Sequence, residues 1–456
     1  MNKHHESTGS TGPADVQHVT LRGPADLADA LPYLLGFHPT DSVVMVGLHG
    51  GRGRFGGRLR HAIPPSDADW AGSAQELADC LISGSGRRGA RPDAIVLFLC
   101  QDPAPGETPC DVMERLRPFT QLLRTACGAL DVPVLEALCV SGGKYWSYCC
   151  PDIRCCPPEG TPLALPGTTV MAAAAAYAGI QVRGSLRELE QRLTPWTGTH
   201  ASAQLRALDE VGAAMVVRIL DTDGRGQVAR ETLDLAGGLL QRVGAVTAPP
   251  VAGAADFCDD GLISHDEAAA VILGLQDRET RDRAARWMEG PDAPAALRLW
   301  RALARRCVGP YVEHAAAPLA LAAWVSWSTG DESGARVALS LALRADPDYT
   351  FAQLLHQACN EGVDPEKLRR CLREEEEEEA RKVAAKTGAP LPQKTVPRQA
   401  SRAGAGASAV PSAGARSRRI SSRTRPVTPS NPGAARVRRR ERLPRGQEDR
   451  DGTTGG

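Results

Sequence analysis

Four of the chain's thirteen cysteines fall within eight residues. Cys149, Cys150, Cys155 and Cys156 lie inside the run from Trp146 to Leu163, between aromatic residues and a Pro/Gly turn. Thiols so placed could form a disulfide, ligate a metal or act as nucleophiles, with Lys144, Tyr145 and Glu159 supplying acid–base groups. Neighbouring Cα atoms are about 3.8 Å apart, below the usual disulfide range, so a bridge within either pair would be strained. A bridge from Cys150 across the Pro-Asp-Ile-Arg turn to Cys155 or Cys156 is geometrically allowed. Adjacent side chains in extended chain point to opposite sides, so each pair offers one zinc ligand. Cys139 or a remote histidine would then have to complete a tetrahedral site. The spacing is not C-x-x-C. Structural thiols in a tight loop are the preferred reading, with redox chemistry or a metal on Cys150, Cys155 and Cys156 as alternatives. No cofactor is predicted, and zinc is the one considered.

The other motifs fail on context. Gly51-Arg52-Gly53-Arg54-Phe55-Gly56 fits the dinucleotide fingerprint, but Arg58 to Ile63 reads as a second strand, which makes a hairpin loop. Gly84-Ser85-Gly86-Arg87-Arg88-Gly89 follows a helix and precedes a strand, the reverse of the required order. Asp221-Thr222-Asp223-Gly224 opens like a calcium loop, but Arg225 and Thr232 occupy positions that need oxygen ligands, so it is a turn between helices. No Walker A, G-x-S-x-G or H-E-x-x-H pattern occurs, and only His4-His5 are close in sequence.

Composition constrains the setting. The 456 residues carry 54 basic and 54 acidic side chains, but residues 380–456 hold 18 basic against 4 acidic. The rest therefore has a net charge of −14, an acidic body with a basic tail. Arg416 to Arg425 and Arg436 to Arg445 suit nonspecific contact with nucleic acid or an acidic surface; without aromatics they cannot stack on bases. Met1 to Gln17 lacks an apolar secretory core, and Thr168 to Ile180 is too short to span a bilayer. A cytoplasmic protein with no membrane contact is expected. Its scattered Cys80, Cys127, Cys307 and Cys359 should be reduced core residues.

The elements that must position the cysteine run divide into two kinds. Val43–Leu48, Ala94–Leu99 and Val132–Leu138 are β-rich apolar runs, alternating with amphipathic helices. Ser73–Glu76 has capping-box spacing, and Thr108-Pro109 sets a cap before a proline. An α/β half, a mixed sheet with flanking helices and partly parallel strands, follows over 17–180, after a disordered lead at 1–16. Residues 181–387 read as all-α, with capping boxes at Ser185–Glu188 and Ser264–Glu267 and a helix opening at Asp364-Pro365. Residues 316–347 have the small-residue spacing of a tetratricopeptide-like hairpin turning at Gly330-Asp331. Glu374–Glu379 extends the last helix, with Glu377–Arg381 and Glu378–Lys382 in the favourable order. Residues 388–456, rich in Arg, Pro, Ala, Gly and Ser, are expected to be a disordered basic tail.

Several stretches together resemble one family, the actinobacterial domain of unknown function 4192. They are Leu21-Arg22-Gly23-Pro24-Ala25-Asp26-Leu27, Pro32-Tyr33-Leu34-Leu35-Gly36-Phe37-His38-Pro39 with Ser42, and the Trp146 to Leu163 run. Asp277-Arg278 with Arg281-Asp282, and Gly330-Asp331 through Tyr349, carry it into the helical half. The resemblance covers roughly 17–360, and what it implies is domain limits rather than an activity. Cys150, Cys155 and Cys156 match its central signature; Cys149 is additional.

These residues favour a non-catalytic binding or assembly module that takes a protein partner through the helical half. The alternatives are an enzyme of unassigned reaction, or a thiol redox or metal-binding protein, sited at Trp146–Cys156. These residues neither assign nor exclude an enzymatic activity.

Overall fold

Ser42–His49 is almost wholly apolar and buried on both sides, which makes it an interior strand with layers above and below. The computed structural model describes residues 20–387, apart from 52, 88, 89, 155 and 222. The lead at 1–16, His4-His5 and the basic tail lie outside the described residues.

Six strands form one mixed sheet: β1 (Ser42–His49), β2 (Arg54–Ala62), β3 (Ala94–Cys100), β4 (Val134–Ser141), β5 (Lys144–Ser147) and β6 (Thr161–Pro162). Their order is β2-β1-β3-β4-β5-β6, and β3 with β4 is the parallel pair. Helices α1 (Pro24–Leu35), α2 (Trp70–Arg87) and α3 (Pro109–Ala129) are interleaved with these strands. β1 and β2 form the expected hairpin across the glycine-rich turn. Thr108 caps α3 in a reciprocal capping box with Asp111.

Side chains alternate across the sheet with period two. Val43, Met45, Ile95, Leu97, Leu99, Cys139 and Trp146 meet the apolar stripes of α2 and α3, including Leu77, Leu81, Leu116 and Phe119. Val44, Val46, Val96, Phe98, Leu138 and Tyr145 face the other way. They share one continuous apolar cluster with Leu31 of α1 and with residues of the helical half such as Leu186 and Leu339.

That half contains α4 (Val170–Tyr177), α5 (Leu186–Gln191), α6 (Gly198–Ile219), α7 (Gly224–Gly244), α8 (Ala252–Gly261) and α9 (His265–Gly274). It continues through α10 (Arg278–Ala284), α11 (Ala293–Arg305), α12 (Ala316–Ser328), α13 (Glu332–Ala345), α14 (Thr350–Asn360) and α15 (Pro365–Thr387). The boxes at Ser185 and Ser264 cap α5 and α9. Every residue of α12 is buried, as an apolar-all-round helix demands. It pairs with α13 across Gly330-Asp331, and Trp324 donates from its indole to the Ala285 carbonyl at 3.0 Å. Glu378 and Lys382 are paired at 2.8 Å on α15, and Arg381 lies 3.9 Å from Glu377.

Three expectations are corrected. Ser73 does not cap α2, because the helix begins at Trp70. That indole is anchored to the Pro64 carbonyl at 3.0 Å and packed on Phe119, so the start moves upstream. Val132 precedes β4: its N–H closes the end of α3 on the Cys127 carbonyl at 3.1 Å. Cys80 is exposed, whereas Cys127, Cys307 and Cys359 are buried.

Candidate functional site

The Trp146–Leu163 loop is closed at its base by side chains that the sequence marked for chemistry. Trp146, 5% exposed, donates from its indole to the Pro158 carbonyl at 2.9 Å, and the Lys144 ammonium donates to the Glu159 carbonyl at 2.9 Å. Between them Gly160 has φ +80°, and a Cβ there would lie 2.4 Å from the Trp146 ring. Thr161 and Pro162 then pair with Tyr145 and Lys144 as β6. The Glu159 side chain itself is exposed.

Ser147 organises the first thiol pair. Its hydroxyl donates to Glu136 at 2.7 Å and accepts the N–H groups of Cys149 and Cys150 at 3.1 and 2.9 Å. Tyr148 anchors the strand end, donating to the Met113 carbonyl at 2.7 Å. Cys110, on the first turn of α3, reaches the loop at Pro158 with an Sγ–O distance of 3.8 Å; nothing in its sequence context marked it. At the tip, Asp152 holds Arg154 at 2.9 Å and the Cys156 N–H donates to the Asp152 carbonyl at 2.8 Å. Ile153 there is 71% exposed. Cys150 and Cys156 are half-buried, and Cys155 lies outside the described residues.

The electrostatics oppose an activated thiol at Cys149 and Cys139. Burial pushes the Cys149 thiol up, and takes Cys139, behind the loop, up to about 12. The Tyr148 phenol is raised by the same desolvation. Nucleophilic and metal-bound cysteines need the opposite shift. Among the described residues no group of three or more His, Cys, Asp or Glu is disposed to hold a metal ion.

The remaining signature residues gather at two other places. Gly36, φ +81°, ends α1, and a Cβ on it would overlap the Ser333 hydroxyl. Ser333 donates to the Leu35 carbonyl at 2.6 Å, joining residues 298 apart in sequence. His38 exchanges backbone hydrogen bonds with Gly184 and Leu186, Phe37 is buried, and Arg183 pairs with Asp331 at 3.1 Å. Upstream, Asp26 accepts the Arg22 N–H at 2.7 Å. Beyond Pro39, Ser42 donates to the Thr40 carbonyl at 2.7 Å and accepts from Arg60 at 3.2 Å. At the second place Asp277 caps α10 and holds Arg225 at 2.6 Å. Arg278 meets Asp282 at 3.6 Å, and Arg281 lies over Phe351 at 4.7 Å.

Two recesses lie apart from the loop. One, about 540 Å³, opens between the end of β2 and α2 beside His61, Asp69, Ser73 and Glu76. His61 Nδ1 contacts the Ala62 carbonyl at 2.7 Å rather than Ser73. The other, about 250 Å³, is lined by Met215, Ile219, Val228 and Leu273, with Arg225 and Asp277. Beside it the last turn of α6 and the residue that follows leave Val216 58%, Val217 68% and Leu220 81% exposed. Among the described residues no helix is long and apolar enough to cross a membrane.

No curated protein and no solved structure matches the chain. One family model does, over residues 24–366, a span that includes the sheet, the cysteine loop and the helices through the start of α15. The junction of Gly36 with Ser333, the stapled Trp146 loop and the Asp277 cap all fall inside it. The chain belongs to the family described as Domain of unknown function (DUF4192).

Proposed function

We propose that this chain is a non-catalytic binding module that takes a protein partner through the end of α6. The observation that carries the reading is the pairing of exposed Val216, Val217 and Leu220 with the adjoining 250 Å³ apolar pocket. Soluble proteins rarely leave contiguous apolar side chains beside a preformed pocket unless another molecule covers them. The pocket would receive an apolar side chain of the partner, and Arg225 and Asp277 would supply polar contacts at its edge. In the Trp146 loop, Lys144, Trp146 and Ser147 each hold loop backbone, which supports the same reading.

The test is a quantitative affinity capture with full-length protein and with the V217K/L220K double variant, its fold checked by circular dichroism. A partner retained in stoichiometric amount by the first, and at least tenfold less by the second, is the expected result. Identical retention by both, or retention by neither, overturns the proposal.

A further inference from the structure

Five arginines crowd the seam between α5, α8, α11 and the α12–α13 turn, and three carboxylates meet them. Arg183 is paired with Asp331 at 3.1 Å and Arg192 with Asp256 at 2.8 Å. Arg305 and Arg306 share Asp260 at 2.7 and 3.2 Å. Arg301 is the fifth. It projects from α11 one turn before Arg305 and one turn after Arg298, which is itself held by Asp259 at 3.0 Å. Yet Arg301 makes no hydrogen bond or ion pair with any described residue, although Asp331 and Asp256 are close enough to act on it electrostatically.

The Arg301 side chain is half-buried and has no carboxylate partner among the described residues, so water reaches it. Burial, followed by the repulsion of Arg192, pushes it down to about 10. The three carboxylates already have arginine partners, and Asp331 also caps α13 through the Gly334 N–H at 3.0 Å. The seam therefore holds two more positive than negative charges, with one cation that no carboxylate pairs.

We propose that this seam binds a phosphate group of a ligand, with Arg301 as the recognition residue. A surplus of two charges suits a dianion, and a phosphate monoester carries about −1.5 to −2 at neutral pH. The planar guanidinium fork matches two phosphate oxygens at once, giving charge-assisted hydrogen bonds that an exposed lysine would not reproduce. The site lies apart from the α6 surface and does not depend on it.

The experiment uses full-length protein in a phosphate-free buffer, titrated with inorganic phosphate at ionic strength held constant with chloride. Calorimetric binding and thermal unfolding are read together. The wild type should bind saturably and gain Tm, and R301Q should lose at least tenfold in affinity. R301K should fall between, and R283Q, on an exposed pair of α10, should match wild type. In chloride alone R301Q should unfold no lower than wild type, because it removes a cation that has no partner. Absence of saturable binding, equal affinity in R301Q, or a lower Tm for R301Q in chloride would each overturn the assignment. So would an Arg301-dependent response to malonate with none to phosphate.

Discussion

Trp146 and Gly160 are in mutual contact across the base of the cysteine loop: the indole lies against the glycine backbone, and its N–H is bound to the Pro158 carbonyl two residues earlier. The left-handed φ of Gly160 and the ring, which a Cβ there would approach to 2.4 Å, act on the same residue. G160A should therefore cost about 1–3 kcal/mol, from backbone strain together with displacement of the ring. Urea unfolding monitored by tryptophan fluorescence measures this. A loss within experimental error would show that the loop is not stapled there.

Arg298 and Asp259 form a buried pair, with the carboxylate 2% and the guanidinium 17% exposed. Arg298 also donates to the Val243 and Val246 carbonyls, so it binds α11 to the end of α7. D259L should destabilise the fold by roughly 3–5 kcal/mol, because it strands a desolvated cation. R298M/D259L should recover part of the loss. A double-mutant cycle by chemical denaturation gives the coupling, and strict additivity would contradict it.

Stability should fall as the pH drops from about 4.5 to 2, in part through Glu267. Hydrogen bonds from Arg242 hold this carboxyl down at about 2, outweighing burial, with the Ser264 cap contributing further. Its folded value is below its unfolded one, so the contribution is complete above the unfolded value and disappears as protons bind on acidification. E267Q should flatten that segment of the profile by roughly 1–2 kcal/mol, discounted for partial exposure. Denaturation midpoints at four pH values between 2 and 5.5 provide the comparison; parallel curves would exclude the linkage.

Thiol accessibility should divide the cysteines sharply. Cys80 and Cys371 are exposed, whereas Cys100, Cys127, Cys139 and Cys307 are buried and their thiols are raised by desolvation. In native protein at pH 8, iodoacetamide should modify the first two at least a hundredfold faster than the buried four. Denaturant should abolish the difference. Peptide mass spectrometry over a time course reads each site. Rapid labelling of Cys139 would mean that the loop opens readily.

What could be read in advance was mostly local. Val43–Leu48 and Ala94–Leu99 announce interior strands by unbroken apolar character, and Thr108, Ser185 and Ser264 mark helix starts through side chains three residues apart. Ser73 falls inside α2 because Trp70, packed on Phe119 and bonded to the Pro64 carbonyl, sets the helix start upstream. Strand β6 was hidden, since its pairing with β5 depends on the loop that Gly160 allows to close. The ion pairs made by α8 could not be anticipated either: Arg192 at the end of α5 reaches Asp256 across 64 residues, and Arg305 of α11 reaches Asp260 across 45. Surface exposure at Val217 and Leu220 has the same character, because an apolar helix end carries no sign of whether a neighbour will cover it.

The apolar cluster that links Val44 and Phe98 to Leu186 and Leu339 also governs how the chain matures. While the ribosome is still making the helices, the sheet already has α2 and α3 on one side and only α1 on the other. Its second side stays sticky until well over a hundred further residues emerge. During that interval the nascent polypeptide bares apolar surface, and a stop codon near residue 180 should leave a fragment prone to clump rather than a miniature of the whole.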